Sequence, residues 1–149
     1  MKYLIMIVMV MIPCKASGNN DIDKWANENL HWQEHEKAAD ILSTILVAFG
    51  LTVPCMFNHT WHCVANEGLQ VGISIGSAEI TKHFIHRTRP DMSDDKSFFS
   101  EHTALACVAT IRSKALAVCP AVGWLRIAAN KHWATDVITG GMVGMVISF

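Results

Sequence analysis

Residues 39–57, ADILSTILVAFGLTVPCMF, form the longest apolar run in the chain. As a helix, such a run is long enough to cross a bilayer. It also fits a buried core helix that carries Ser43, Thr44, Gly50 and Thr52 and is ended by Pro54. No other segment reaches spanning length, so the core helix is the favoured reading. In residues 67–86, Val71, Ile73 and Ile75 alternate as a strand would. Over a longer stretch, Leu69, Ile73, Gly76, Ile80 and Phe84 line up at spacings of three and four, which is a helical face. Gly72 and Gly76 would let a second helix approach closely.

Arg89-Pro90 stops that helix, because proline disfavours α geometry in the residue before it. Residues 58–66, with His59, His62 and Cys63, read as a loop, and residues 91–99 as a charged loop. Residues 101–112 and 115–126 read as two short helices joined near Ser113. A last helix over 135–149 is opened by Thr135 or Asp136 and lined by Gly140, Gly141 and Gly144. No stretch is a convincing strand. The expected fold is all-α, a single bundle of about five core helices.

Residues 1–16, MKYLIMIVMVMIPCKA, have a positive start, an apolar stretch and small residues at the end, which reads as a signal peptide. An uncleaved anchor is the alternative. Residues 17–37 are a polar lead-in in which Trp25, Leu30 and Trp32 could pack a short helix, and residues 38–149 are the helical domain. With 149 residues the chain holds one domain. Lys plus Arg is 12 against 13 Asp plus Glu, with no basic run, which excludes a nucleic-acid module. The 51% hydrophobic content excludes a disordered acidic chain and leaves a membrane surface open as a partner. Export, to the periplasm or the periplasmic face of the membrane, would place Cys55, Cys63, Cys107 and Cys119 where disulfides form. Four cysteines have three pairings. Cys107 and Cys119 are equally far from the turn at Ser113, and Cys55 and Cys63 bracket one short loop, so these two pairs are expected.

Three clusters carry chemistry. Lys82 and Arg89 are seven residues apart, two turns along one helix face, and two cations side by side ask for a shared anion. The ordinary reading is a basic helix end. Ser100-Glu101-His102 opens an apolar helix, whose first amides bind anions while His102 can give a proton. The ordinary reading is a plain N-cap. Arg126, His132 and Asp136 form the third cluster, in which a His and an Asp four residues apart can pair on one helix face. That would fix the imidazole tautomer and free the other nitrogen for attack. The ordinary reading is a surface His–Asp pair.

In this order the clusters resemble the type 2 phosphatidic acid phosphatase superfamily, whose signature is K-x(6)-R-P, then P-S-G-H, then S-R-x(5)-H-x(3)-D. The matching residues are Lys82, Arg89 and Pro90, then Ser100 and His102, then Arg126, His132 and Asp136. The likeness covers roughly residues 38–149 and looks closest to the small bacterial branch with a signal sequence. It implies an all-α phosphatase that needs no cofactor or metal and acts on a phosphorylated small molecule or a lipid phosphate. Lys82, Arg89 and Arg126 would clamp the phosphoryl oxygens, with backbone amides near Ser100 completing the cradle. His132 would attack phosphorus, Asp136 would orient it, and His102 would protonate the leaving oxygen and then activate water.

Phe99, Glu101 and Leu125 stand where the family has Pro, Gly and Ser, and His102 and Arg126 are separated by only 23 residues. Glu101 would compete with phosphate at the helix start, or pair with Arg89 or Arg126. A homologue that only binds phosphate is therefore an alternative. A vanadium haloperoxidase is another, for which the chain is short. A periplasmic metal-binding module is a third, using His31, Glu34 and His35, or His59, His62 and Cys63, or His83 and His86.

Overall fold

The computed structural model describes residues 20–58, 61–115 and 117–148, and the expected signal peptide lies outside them. Six helices are present among the described residues: α1 Asp21–Leu30, α2 Glu36–Asn58, α3 Trp61–Phe84, α4 Glu101–Ser113, α5 Val118–Ala128 and α6 Ala134–Ser148. No strand occurs among them beyond one isolated bridge between Arg87 and Lys96. The fold is all-α.

The central helix is α4, packed against α6, α2, α5 and α3. Every residue from Thr103 to Thr110 is buried, so over that stretch α4 has no solvent face. Its alanines keep it thin, and the partner helices use glycine to come close. A Cβ on Gly140 would lie 2.3 Å from the Ser100 carbonyl oxygen, and one on Gly144 would lie 2.2 Å from that of Ala104. We expect Gly140→Ala and Gly144→Ala each to lower the unfolding free energy by about 1–3 kcal/mol in urea titrations, the usual cost of overpacking. Alanine's better helix propensity returns at most about 1 kcal/mol. A stabilised variant would show that α6 does not cross α4 so closely.

The apolar run is helical but is not the core helix. α2 is long and apolar enough to cross a membrane, and 17% of its apolar window is buried. Ala39, Ser43, Val47 and Gly50 face inward, while Ile41, Ile45 and Phe49 face out. Pro54 does not end it. Proline removes one i→i−4 bond, and the turn beyond it, to Asn58, is tied down by the Cys55–Cys63 bridge.

α3 starts at Trp61, so most of the segment expected to be a loop, Cys63 included, is helical. Its apolar stripe is turned outward: Leu69 is 63% and Ile80 63% exposed. The buried residues of α3 are Glu67, Ser74, Ala78 and Thr81. Small side chains allow the closer approach, and the stripe is left over. Nothing lies within 4 Å of a Cβ built on Gly72 or Gly76, so neither serves a helix crossing.

The remaining boundaries follow the expectation closely. Lys114 closes α4 in the left-handed region, and Cys107 and Cys119 face each other across that turn with Cα atoms 4.6 Å apart. Cys55 and Cys63 are at 5.6 Å, so both expected pairs are at disulfide distance. The lead-in differs. α1 is capped by the Asn20 side chain, which accepts from the Asp23 amide at 2.7 Å. It buries Asp23 and Ala26 against α5 and α6, while Trp25 is 58% exposed.

Candidate active site

The segment between α3 and α4 folds back on itself. The Arg87 amide donates to Asp95, the Ser97 amide to Arg87, and the Arg89 amide to the Asp94 carbonyl. Phe98 and Phe99, both fully buried against Ala78, Ala104 and Val143, pin its far end. Because α3 stops at Phe84, Arg89 lies in this segment and not on the helix of Lys82. The two cations do not share a helix face, contrary to expectation.

His132 and Asp136 also differ from the expected pair. α6 begins at Ala134, so His132 precedes the helix and the i,i+4 geometry does not apply. His132 is 4% exposed, and its Nδ1 lies 2.7 Å from the Ser97 carbonyl oxygen. A carbonyl only accepts, so Nδ1 carries the proton and Nε2 keeps its lone pair. Burial, reinforced by the charges of Arg126 and Arg89, holds the imidazole well below its ordinary pKa and therefore neutral.

The Asp136 carboxylate accepts from Arg87, from Ser97 Oγ at 2.5 Å and from the Trp133 amide at 3.1 Å. Burial pushes its pKa upward against the pull of Arg87. Asp136 thus reaches His132 through Ser97: it holds the hydroxyl of the residue whose carbonyl holds the imidazole. Arg87 is 6% exposed and also donates to Asp23 at 2.5 Å, while Asp23 accepts from the Thr135 amide at 2.9 Å. Asp23, Arg87 and Ser97 were missed in the sequence. Arg87 lies two residues before Arg89, in His86-Arg87-Thr88-Arg89-Pro90, and that local crowding of cations was the available signal.

Arg126 is 3% exposed and donates to Asp40 and, at 3.2 Å, to Ser43 Oγ. Asp40 and Ser43, both on α2, were not foreseen either. Lys82 Nζ lies 2.8 Å from Glu79 and 3.0 Å from Glu101. Arg89 Nε donates to Asp94 at 2.7 Å. Glu101 is therefore at the helix start and pairs with a cation, but the cation is Lys82, not Arg89 or Arg126.

His102 Nε2 lies 3.4 Å from Thr44 Oγ1. Burial, with the Arg126 charge behind it, lowers its pKa to about 4. Ser100 is fully buried, and its amide is already given to the Asp136 carbonyl at 3.1 Å. Its hydroxyl accepts from Thr103 and caps no amide. Any anion cradle at this helix start must come from the first-turn amides of residues 101–103, which have no acceptor within the helix.

Two of the histidines read as possible metal ligands are ion-paired. His31 pairs with Glu36 at 2.5 Å and His86 with Asp95 at 2.9 Å. His35 packs on Trp32 and His83 on Phe84. His62 is exposed, and His59 lies outside the described residues.

No protein-family model, curated protein or solved structure matches this chain.

Proposed function

We propose that the chain is a metal-independent phosphatase that works through a phosphohistidine, as its resemblance to the type 2 phosphatidic acid phosphatases implies. The observation that carries this reading is His132: buried, neutral, with Nδ1 fixed on the Ser97 carbonyl and Nε2 left as the nucleophile. Nε2 attacks phosphorus and the bond to the leaving oxygen breaks. His102 gives that oxygen its proton. Water, deprotonated by His102, then displaces phosphate and restores His132. Arg126, Arg89 and Lys82 balance the charge on the phosphoryl oxygens.

The outward apolar faces of α2 and α3 favour a lipid phosphate over a soluble ester, with the enzyme at a membrane surface. The two disulfide pairs support an exported protein. Phosphate release from phosphatidic acid in detergent, compared with a soluble phosphomonoester, tests the reading and its substrate class together. Because every proposed step runs on side chains and backbone amides of the chain itself, we expect turnover to survive EDTA. Loss in EDTA that zinc or magnesium restores would contradict this.

A second reading, a catalytically impaired homologue, is favoured by one observation. Each clamp cation already has a carboxylate: Lys82 has Glu79 and Glu101, Arg89 has Asp94, and Arg126 has Asp40. A phosphate dianion must displace or neutralise these groups. Glu101→Gln should therefore raise kcat/KM at neutral pH about tenfold, the scale of one like charge in a half-buried site. In the wild type kcat/KM should fall as pH rises past the His102 pKa of about 4, because His102 must be protonated to act as the acid. Stability runs the other way. Folding holds His102 and His132 neutral, so the unfolded chain, at about 6.5, binds more protons and stability drops as pH falls from there toward 4. Superimposable pH–rate profiles for wild type and Glu101→Gln would show that Glu101 does not compete with substrate.

A further inference from the structure

At the far end of the α2–α3 hairpin, Cys55, Cys63 and Glu67 bring their ligand atoms within 4.8 Å of one another. They are the one such group of three among the described residues. Along α3, Cys63 and Lys82 are nineteen residues apart, roughly 28 Å at helical rise, so this cluster is separate from the candidate active site.

Glu67 is 7% exposed, one helical turn after Cys63. Its Oε2 is aimed at both sulfurs, 3.0 Å from Cys55 Sγ and 3.9 Å from Cys63 Sγ. In a disulfide neither sulfur has a proton to give, so a carboxylate oxygen then lies against electron-rich sulfur at close range. In the reduced pair, the same three atoms are two thiol sulfurs and a carboxylate oxygen converging on one point, and loss of the thiol protons to a metal makes all three of them anionic ligands. Zinc bound to both sulfurs at about 2.3 Å would hold them roughly 3.8 Å apart. The Cα separation of 5.6 Å leaves room for that opening.

We propose that Cys55, Cys63 and Glu67 form a redox-controlled zinc site: a disulfide when oxidised, and a three-ligand site completed by water when reduced. A dithiol reductant opens the bridge. It gives two electrons and two protons to the sulfurs and becomes a disulfide itself, and zinc then displaces both thiol protons. Either state clips α2 to α3, but only the reduced state carries the metal.

The test uses the full chain, reduced with a phosphine, freed of reductant without air and titrated with zinc against a chromophoric indicator. We expect one zinc per reduced chain and none at this site after reoxidation. Glu67→Gln, which keeps the side chain's shape, should weaken binding about tenfold or more, at least the loss typical of a second-shell change. In the wild-type protein, zinc should slow alkylation of the half-buried Cys55 and Cys63 and leave the rate at the half-buried Cys119 unchanged, a readout that needs no variant to fold. Failure of the reduced chain to take up zinc would overturn the proposal. So would zinc that leaves Cys55 and Cys63 open to alkylation, since the metal would then sit on histidines.

Discussion

His132→Ala should lose phosphate release by about 10⁴-fold or more, the scale seen when a nucleophile is removed from a unit that acts together. The reason is specific to the site. Nδ1 is committed to the Ser97 carbonyl, so only Nε2 can attack, and burial keeps it unprotonated down to acidic pH. None of His31, His35, His62, His83 and His86 shares this environment, since each is at least partly exposed. Removing a buried ring also leaves a cavity, so the variant's urea midpoint should be measured beside its rate. Free imidazole should restore part of the activity of a folded His132→Ala protein, because it supplies the missing nitrogen to an otherwise intact phosphate clamp. A folded variant with wild-type turnover would remove His132 from the mechanism.

The second large effect falls on stability. Arg87 is the cation between two fully buried carboxylates, Asp23 and Asp136. Arg87→Met keeps much of the volume and removes the charge, which leaves those carboxylates facing each other without compensation. Breaking a buried pair from one side costs about 3–5 kcal/mol, against a total of about 5–15 kcal/mol for a domain. The denaturation midpoint should therefore fall sharply at neutral pH. The loss should shrink as pH falls, because burial already raises the Asp136 pKa and its protonation relieves the repulsion. Chemical denaturation of wild type and Arg87→Met at neutral and acidic pH measures both. An unchanged midpoint would mean that the network linking α1, the segment before α4 and α6 holds little together. The same network supports His132 through Ser97, so Asp136→Asn should lower both stability and rate, where a simple tautomer-fixing aspartate would lower only the rate.

Helical periodicity and small-residue patterns made the all-α fold, the α4–α5 turn and both cysteine pairs legible in the sequence. They did not say which side of a helix is buried. In α3 the apolar stripe Leu69, Ile73, Ile80 and Phe84 was the obvious inner face, yet Ser74, Ala78 and Thr81 are inside because small side chains permit closer packing. Spacing also identified Lys82, Arg89, His102, Arg126, His132 and Asp136 as residues of interest. It misjudged how they connect, because a spacing of four means a shared helix face only inside a helix, and α6 starts two residues after His132. The groups missed, Asp23, Arg87, Ser97 and Asp40, come from segments distant in sequence. Their role is to hold other site residues, and no local spacing encodes that.

The central claim is covalent chemistry at His132. The most direct measurement mixes the full chain with a phosphorus-labelled phosphomonoester, quenches within milliseconds in alkali and maps the label by peptide. The account predicts a phosphoryl group on the peptide containing His132, stable in alkali, lost on brief acid treatment and absent from His132→Ala. Steady turnover with no label on that peptide, or with the label on another residue, would contradict it.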